Sequence, residues 1–285
     1  MNPKVTGFYH EPTQSIVYLL EDPATKRAAV IDPVLDYDEK AGRVSTTSAD
    51  ALLGEIQARG LAIDWILDTH PHADHFSAAH YLHGKLGAPT AIGAQVVAVQ
   101  KLWKAIYNLP DFPADGSQWD RLFADGDTLT VGSLQGRVMH CPGHTLASVT
   151  YVFGDAAFIH DTLFQPDGGT ARADFPGGDA DTLYDSIQKI LALPDATRLF
   201  TGHDYRPGGR PAAWESTVAA QKRDNIHLRD NPSRAAFVAM REKRDRTLAM
   251  PRLILHALQV NMRGGRLPEP EDNGRTYLKI PVDAL

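Results

Sequence analysis

Short runs rich in β-branched residues alternate with stretches of helical spacing through the first half of the chain. Runs 15–20 and 28–31 predict strands on either side of a turn at Asp22-Pro23. Leu52, Leu53 and Ile56 give residues 48–59 the spacing of an amphipathic helix, opened by Ser48 or Asp50 and closed by Gly60. A strand at 64–67, a helix at 76–86 ended by Gly87, a strand at 90–92 and a helix at 95–107 follow. Residues 109–123, rich in Pro, Asp and Gly, predict a long surface loop.

A second, similar set comes next. Runs 128–131, 137–140, 148–153 and 156–159 have strand character. Residues 181–193 form an amphipathic helix with Leu183, Ile187, Ile190 and Leu191 on one face, and 198–201 is a further strand. From 212 to about 260 the pattern is mainly helical, including 214–228 and 234–247. Two such sets fit an α/β architecture of two packed sheets with helices outside. Residues 1–210 are read as one domain and 211–285 as a helical C-terminal extension packed on it.

Composition narrows the function classes. The chain has 285 residues, which suits one large domain with an elaborated end. A net charge of −6 with scattered cations offers no continuous footprint for phosphates, so nucleic acid is excluded as a partner. The Lys/Arg-rich stretch 241–252 reads as a solvated helix face. Cys141 is the single cysteine, so no intramolecular disulfide can form, and it reads as a small buried residue. Residues 1–11 lack the order of a signal peptide, and no apolar run approaches the roughly 20 residues that span a bilayer. A soluble cytoplasmic protein is the expectation, with a second copy in a homodimer as a candidate partner.

Histidine changes the picture. Of twelve in the chain, His70, His72, His75, His80 and His83 fall within fourteen residues. Thr69-His70-Pro71-His72-Ala73-Asp74-His75 has the form H-x-H-x-D-H directly after a strand. There, His70 and His72 can point the same way while Asp74 and His75 serve a neighbouring point. His80 and His83 fall on the following helix and read as surface or packing residues. Further ligands come from the ends of later strands: His144 in Cys141-Pro142-Gly143-His144-Thr145, Asp161 in His160-Asp161-Thr162, and His203 in Thr201-Gly202-His203-Asp204-Tyr205. Four such groups in this order indicate a metal site on one edge of the sheets.

This series is similar to the metallo-β-lactamase superfamily over about residues 10–210. The resemblance implies a four-layer αβ/βα sandwich with the metal at one edge, and makes 1–210 the catalytic domain. Two branches are near. Glyoxalase II enzymes hydrolyse glutathione thioesters at a dinuclear site. Persulfide dioxygenases use one Fe(II) and O2 to convert glutathione persulfide to sulfite and glutathione.

The segment from Gly169 through Arg172-Ala173-Asp174-Phe175 to Gly178, and Asn261-Met262-Arg263-Gly264 near the end, resemble the dioxygenase branch. His160 departs from it, standing where glycine is usual. The resemblance implies a non-haem sulfur dioxygenase with one Fe(2+) per chain held by His70, His144 and Asp161, a two-His, one-carboxylate set that leaves positions open for substrate and O2. His72, Asp74, His75 and His203 would brace these ligands by hydrogen bonds or, in the dinuclear alternative, bind a second metal. Arg172, Tyr205 and Arg263 are the expected contacts to glutathione, with Asp174 orienting Arg172 or the ligands.

Overall fold

The structure is a computed structural model that describes residues 2–285. In chain order its strands are β1 (Lys4–His10), β2 (Ser15–Asp22), β3 (Arg27–Ile31), β4 (Val34–Asp38), β5 (Arg43–Ser45), β6 (Ala62–Leu67), β7 (Phe76–Ser77), β8 (Thr90–Gly93), β9 (Arg121–Phe123), β10 (Thr128–Val131), β11 (Leu134–His140), β12 (Val149–Phe153), β13 (Ala156–His160), β14 (Arg198–Thr201) and β15 (Glu215–Thr217). The helices are α1 (Thr47–Ala58), α2 (Ala79–Leu86), α3 (Val96–Ile106), α4 (Ala180–Leu191), α5 (Val218–Asp224), α6 (Arg234–Asp245) and α7 (Ile254–Asn261).

One six-stranded sheet runs β1-β2-β3-β6-β8-β9 and a second runs β10-β11-β12-β13-β14-β15; a small third sheet joins β5, β4 and β7. The period of two along β2 shows how they stack. Ile16, Tyr18 and Leu20 enter the core between the two large sheets, with Tyr151, Phe153, Phe158 and Phe200 from the other side. Val17 and Leu19 face outward onto Leu52 and Ile56 of α1 and Leu82 of α2. On the far side, Leu183, Ile187 and Ile190 of α4 pack on Ile159 and Leu199, with Phe237 of α6 in the same cluster. The order is helix, sheet, sheet, helix, the α/β sandwich expected.

Several local expectations are corrected. Residues 4–10, where the sequence pattern predicts no element, form β1, paired antiparallel to β2. Gly7 lets the Trp214 indole lie on that strand, since a Cβ there would come within 2.4 Å of its Nε1. Residues 76–77 pair with β4 rather than starting a helix, and α2 begins at Ala79. The surface loop 109–123 ends in β9. Residues 214–228 are not one helix: β15 pairs with β14, and Thr217 then caps α5 by accepting from Ala220 N–H. A strand of the second sheet thus lies beyond residue 210.

Strand direction brings the candidate ligands together. β3 and β6 are parallel, as are β13 and β14, so the segments after Ile31, Leu67, His160 and Thr201 leave in pairs. Among the described residues, no helix is long and apolar enough to cross a membrane.

Candidate metal centre

His70, His144 and Asp161 each place a donor atom within 4.8 Å of the others. His70 Nε2 and His144 Nε2 lie 3.8 and 3.6 Å from Asp161 Oδ2. All three residues are buried. His144 lies in the loop between β11 and β12, where Gly143 has φ +120° and no room for a Cβ against the Leu183 backbone. Asp161 follows β13 directly.

The hydrogen bonds decide which nitrogen of each imidazole carries the lone pair. Thr69 Oγ1 donates to Asp32 Oδ2 (2.8 Å), so its hydroxyl oxygen accepts from His70 Nδ1 (3.0 Å) and leaves His70 Nε2 as the base. His144 Nδ1 donates to the Arg172 carbonyl (2.9 Å), leaving its Nε2 free in the same way. His72 Nε2 donates to Asp32 Oδ1 (3.0 Å), and His75 Nδ1 to Asp74 Oδ2 (2.7 Å). The atoms left over, His70 Nε2, His72 Nδ1 and His75 Nε2, are buried and have no protein partner. Buried polar atoms are rarely orphaned, and these are the lone-pair nitrogens that a cation would take. The residues present fit a metal.

His203 is the exception. Its Nδ1 donates to Asp161 Oδ1 and its Nε2 to Asp74 Oδ2, both at 2.6 Å. Burial works against its charge, but these two carboxylates override that and hold the imidazole well above its ordinary range. Burial likewise opposes charge on His72, and Asp32 overrides it, raising the group to about 9, so a cation taking His72 Nδ1 would have to displace a proton there. Burial lowers His70 well below its usual value, with the neighbouring imidazoles adding to the effect.

The sequence profile of the metallo-beta-lactamase superfamily matches residues 10–203. The chain belongs to that superfamily. It is 64% identical over 283 residues to a beta-lactamase hydrolase-like protein of Xylella fastidiosa; the match takes in 99% of this chain and spans 65% of that relative's length. It is 48% identical over 270 residues to a glyoxylase B2 of Dictyostelium discoideum, covering 94% of this chain and 92% of that one. Among solved structures, ETHE1 from Myxococcus xanthus superimposes with a TM-score of 0.74 at 28% identity, over 92% of this chain and 100% of that one. The superfamily binds metal ions, and the His/Asp clusters of this chain are groups that could hold one.

A cleft of about 510 Å³ opens onto the centre, lined by His144, Asp161, Asp74 and His203 among others. Of the expected substrate contacts, Arg172 and Tyr205 are on its wall. Arg172 is held by Asp174 through two hydrogen bonds of 2.6 and 2.8 Å, and Tyr205 stacks on the His203 ring with centroids 5.5 Å apart. The structure does not bring Arg263 there. It lies over Phe112 and lines a separate cavity with Tyr277 and Lys279.

Sequence reasoning missed Asp32, which governs both His70 and His72. Its signal, a carboxylate immediately after an apolar strand, is the one that marked Asp161. It also missed Ser15, whose Oγ donates to Asp74 Oδ2 (2.8 Å). Arg241 corrects the solvated-face reading of 241–252: it is buried, paired with Asp245 at 2.6 Å, and donates to the Thr170 carbonyl.

Proposed function

We propose that the chain is an iron-dependent persulfide dioxygenase acting on glutathione persulfide. The observation that carries this reading is the convergence of His70 Nε2, His144 Nε2 and one oxygen of Asp161, while His203 occupies the other oxygen and Asp74. Two imidazoles and a carboxylate with open positions beside them are the donor set of non-haem Fe(II) oxygenases. The similarity to ETHE1 over that chain's full length supports it.

Bound by His70, His144 and Asp161, ferrous iron would supply the electrons that activate O2. The chain does the rest. Asp32, through Thr69, and the Arg172 carbonyl hold the two imidazoles in the tautomer that presents Nε2. Overall, persulfide, O2 and water give thiol and sulfite: the terminal sulfur gains three oxygens, and the sulfur–sulfur bond breaks with its electron pair and a proton going to the thiol. The substrate's carboxylates would meet a cationic rim at Arg172, Arg244 and Arg252, which line the same cleft as Tyr205. Arg244, exposed there, is paired with no carboxylate among the described residues, whereas Arg172 is already engaged by Asp174 and Arg252 by Glu39.

A second reading, a glutathione thioester hydrolase with two metals, is favoured by the unpartnered His72 Nδ1 and His75 Nε2 and by the relative named as a glyoxylase. Oxygen uptake with glutathione persulfide, measured alongside metal content, separates them. One iron per chain and stoichiometric sulfite are expected. Two metals with thioester hydrolysis and no oxygen uptake would overturn the dioxygenase reading.

A further inference from the structure

Asn261 is buried on the last turn of α7. Its side-chain Nδ2 donates to the carbonyl oxygens of His72 and His75, both at 2.7 Å, and its Oδ1 accepts from the Ser77 N–H at 2.8 Å. Both amide protons and one oxygen lone pair are therefore spent on the segment that carries the ligand candidates. The His72 and His75 carbonyls lie between β6 and β7, where no ladder satisfies them, and Ser77 belongs to the short β7 itself. The seat is tight. Gly265, at φ +83° just past α7, sits where a Cβ would come within 2.5 Å of the Ser77 carbonyl oxygen.

A carbonyl fixed at residue 72 or 75 fixes the peptide plane, and with it the direction from which that imidazole hangs. We propose that Asn261 is a positioning residue for the metal centre, so that the C-terminal helix sets the geometry of the loop bearing His70 to His75. This rests on reading that loop as metal-holding, through His70 on the one-metal reading and through His72 and His75 as well on the two-metal reading, and it is independent of which metal binds or which reaction follows. Linkage makes the effect reciprocal: if docked α7 favours metal, bound metal favours docked α7.

The test uses Zn2+ and, anaerobically, Fe2+ titrated into the metal-free full chain. Asn261→Asp keeps the shape but turns an oxygen toward carbonyls that need a donor; Asn261→Ala removes the group. Folded variants, judged by circular dichroism, are expected to bind metal about 10- to 100-fold more weakly, with a smaller rise of Tm on metal addition. A merely structural role would lower the Tm of the metal-free variants and leave the metal Kd as in the parent, which overturns the proposal. Should neither variant fold, hydrogen exchange on the unmodified protein decides it. Zn2+ is expected to slow exchange across 254–261 as well as 69–77, and unchanged exchange in α7 overturns it. A parent chain that binds neither metal would instead sink the metal-centre reading.

Discussion

The two poles of the centre are built from the same residue types and end in different states. At one pole, His70 and His144 turn lone pairs toward Asp161 Oδ2, and no protein proton stands between them. At the other, Asp74 Oδ2 receives Ser15, His75 and His203 at once. A doubly donating imidazole places a positive charge between two carboxylates, where a second cation would otherwise have to supply it. The comparison teaches that ligand count alone does not set metal count; what the supporting hydrogen bonds have already neutralised matters as much.

Three substitutions sharpen that contrast. Asp161→Asn touches both poles and removes a direct donor. Its metal Kd should rise by more than the roughly 100-fold that loss of a supporting partner costs, with turnover falling below detection. His203→Gln probes the second pole alone. On the one-metal reading the chain keeps one iron, bound about 10- to 100-fold more weakly; elemental analysis showing two metals in the parent and one in the variant would reverse the assignment.

Asp32→Asn acts one step further out. It removes acceptor capacity from Thr69 and His72, which should destabilise the fold by about 2 kcal/mol in chemical denaturation and loosen His70 as a ligand. An Asp32→Asn protein with the parent's midpoint and metal affinity would show that the tautomers are set elsewhere.

A separate effect lies outside the centre. His227 accepts at Nδ1 from the Thr170 N–H, and burial pushes it down to about 4. The unfolded chain takes up this proton near pH 6.5, before the native state does, so stability falls as pH drops from 6.5 toward 4. His227→Gln should flatten that part of the stability profile; an identical slope would place the linkage on another group.

The sequence made the candidate metal loop and its partners readable because each ligand candidate lies just past the end of a β-type run, a signal that survives without neighbours. What it hid depends on pairing across the fold. Asp32 gains its role from the parallel register of β3 with β6. β4, with Asp36 and Asp38 among its five residues, lacks the apolar run that marks a buried strand. In α6 the buried stripe is Phe237, Arg241 and Asp245, so an ion pair inside the protein carried the composition of an exposed face. Near the end of the chain, Arg263 carries the charge that marks a substrate contact, while the neighbouring uncharged Asn261 is the residue that reaches the loop.

That reach has a consequence for biosynthesis. Asn261 and His72 are 189 positions apart, and Ser15 and His203 are 188 apart. Contacts of such separation close late, after the entropy of a long loop has been overcome. A nascent chain emerging N-terminus first exposes the histidine-rich loop well before its braces exist. The finished centre needs α7, and shortened products that stop before α7 would carry every metal-ligand candidate yet lack the frame that aims them.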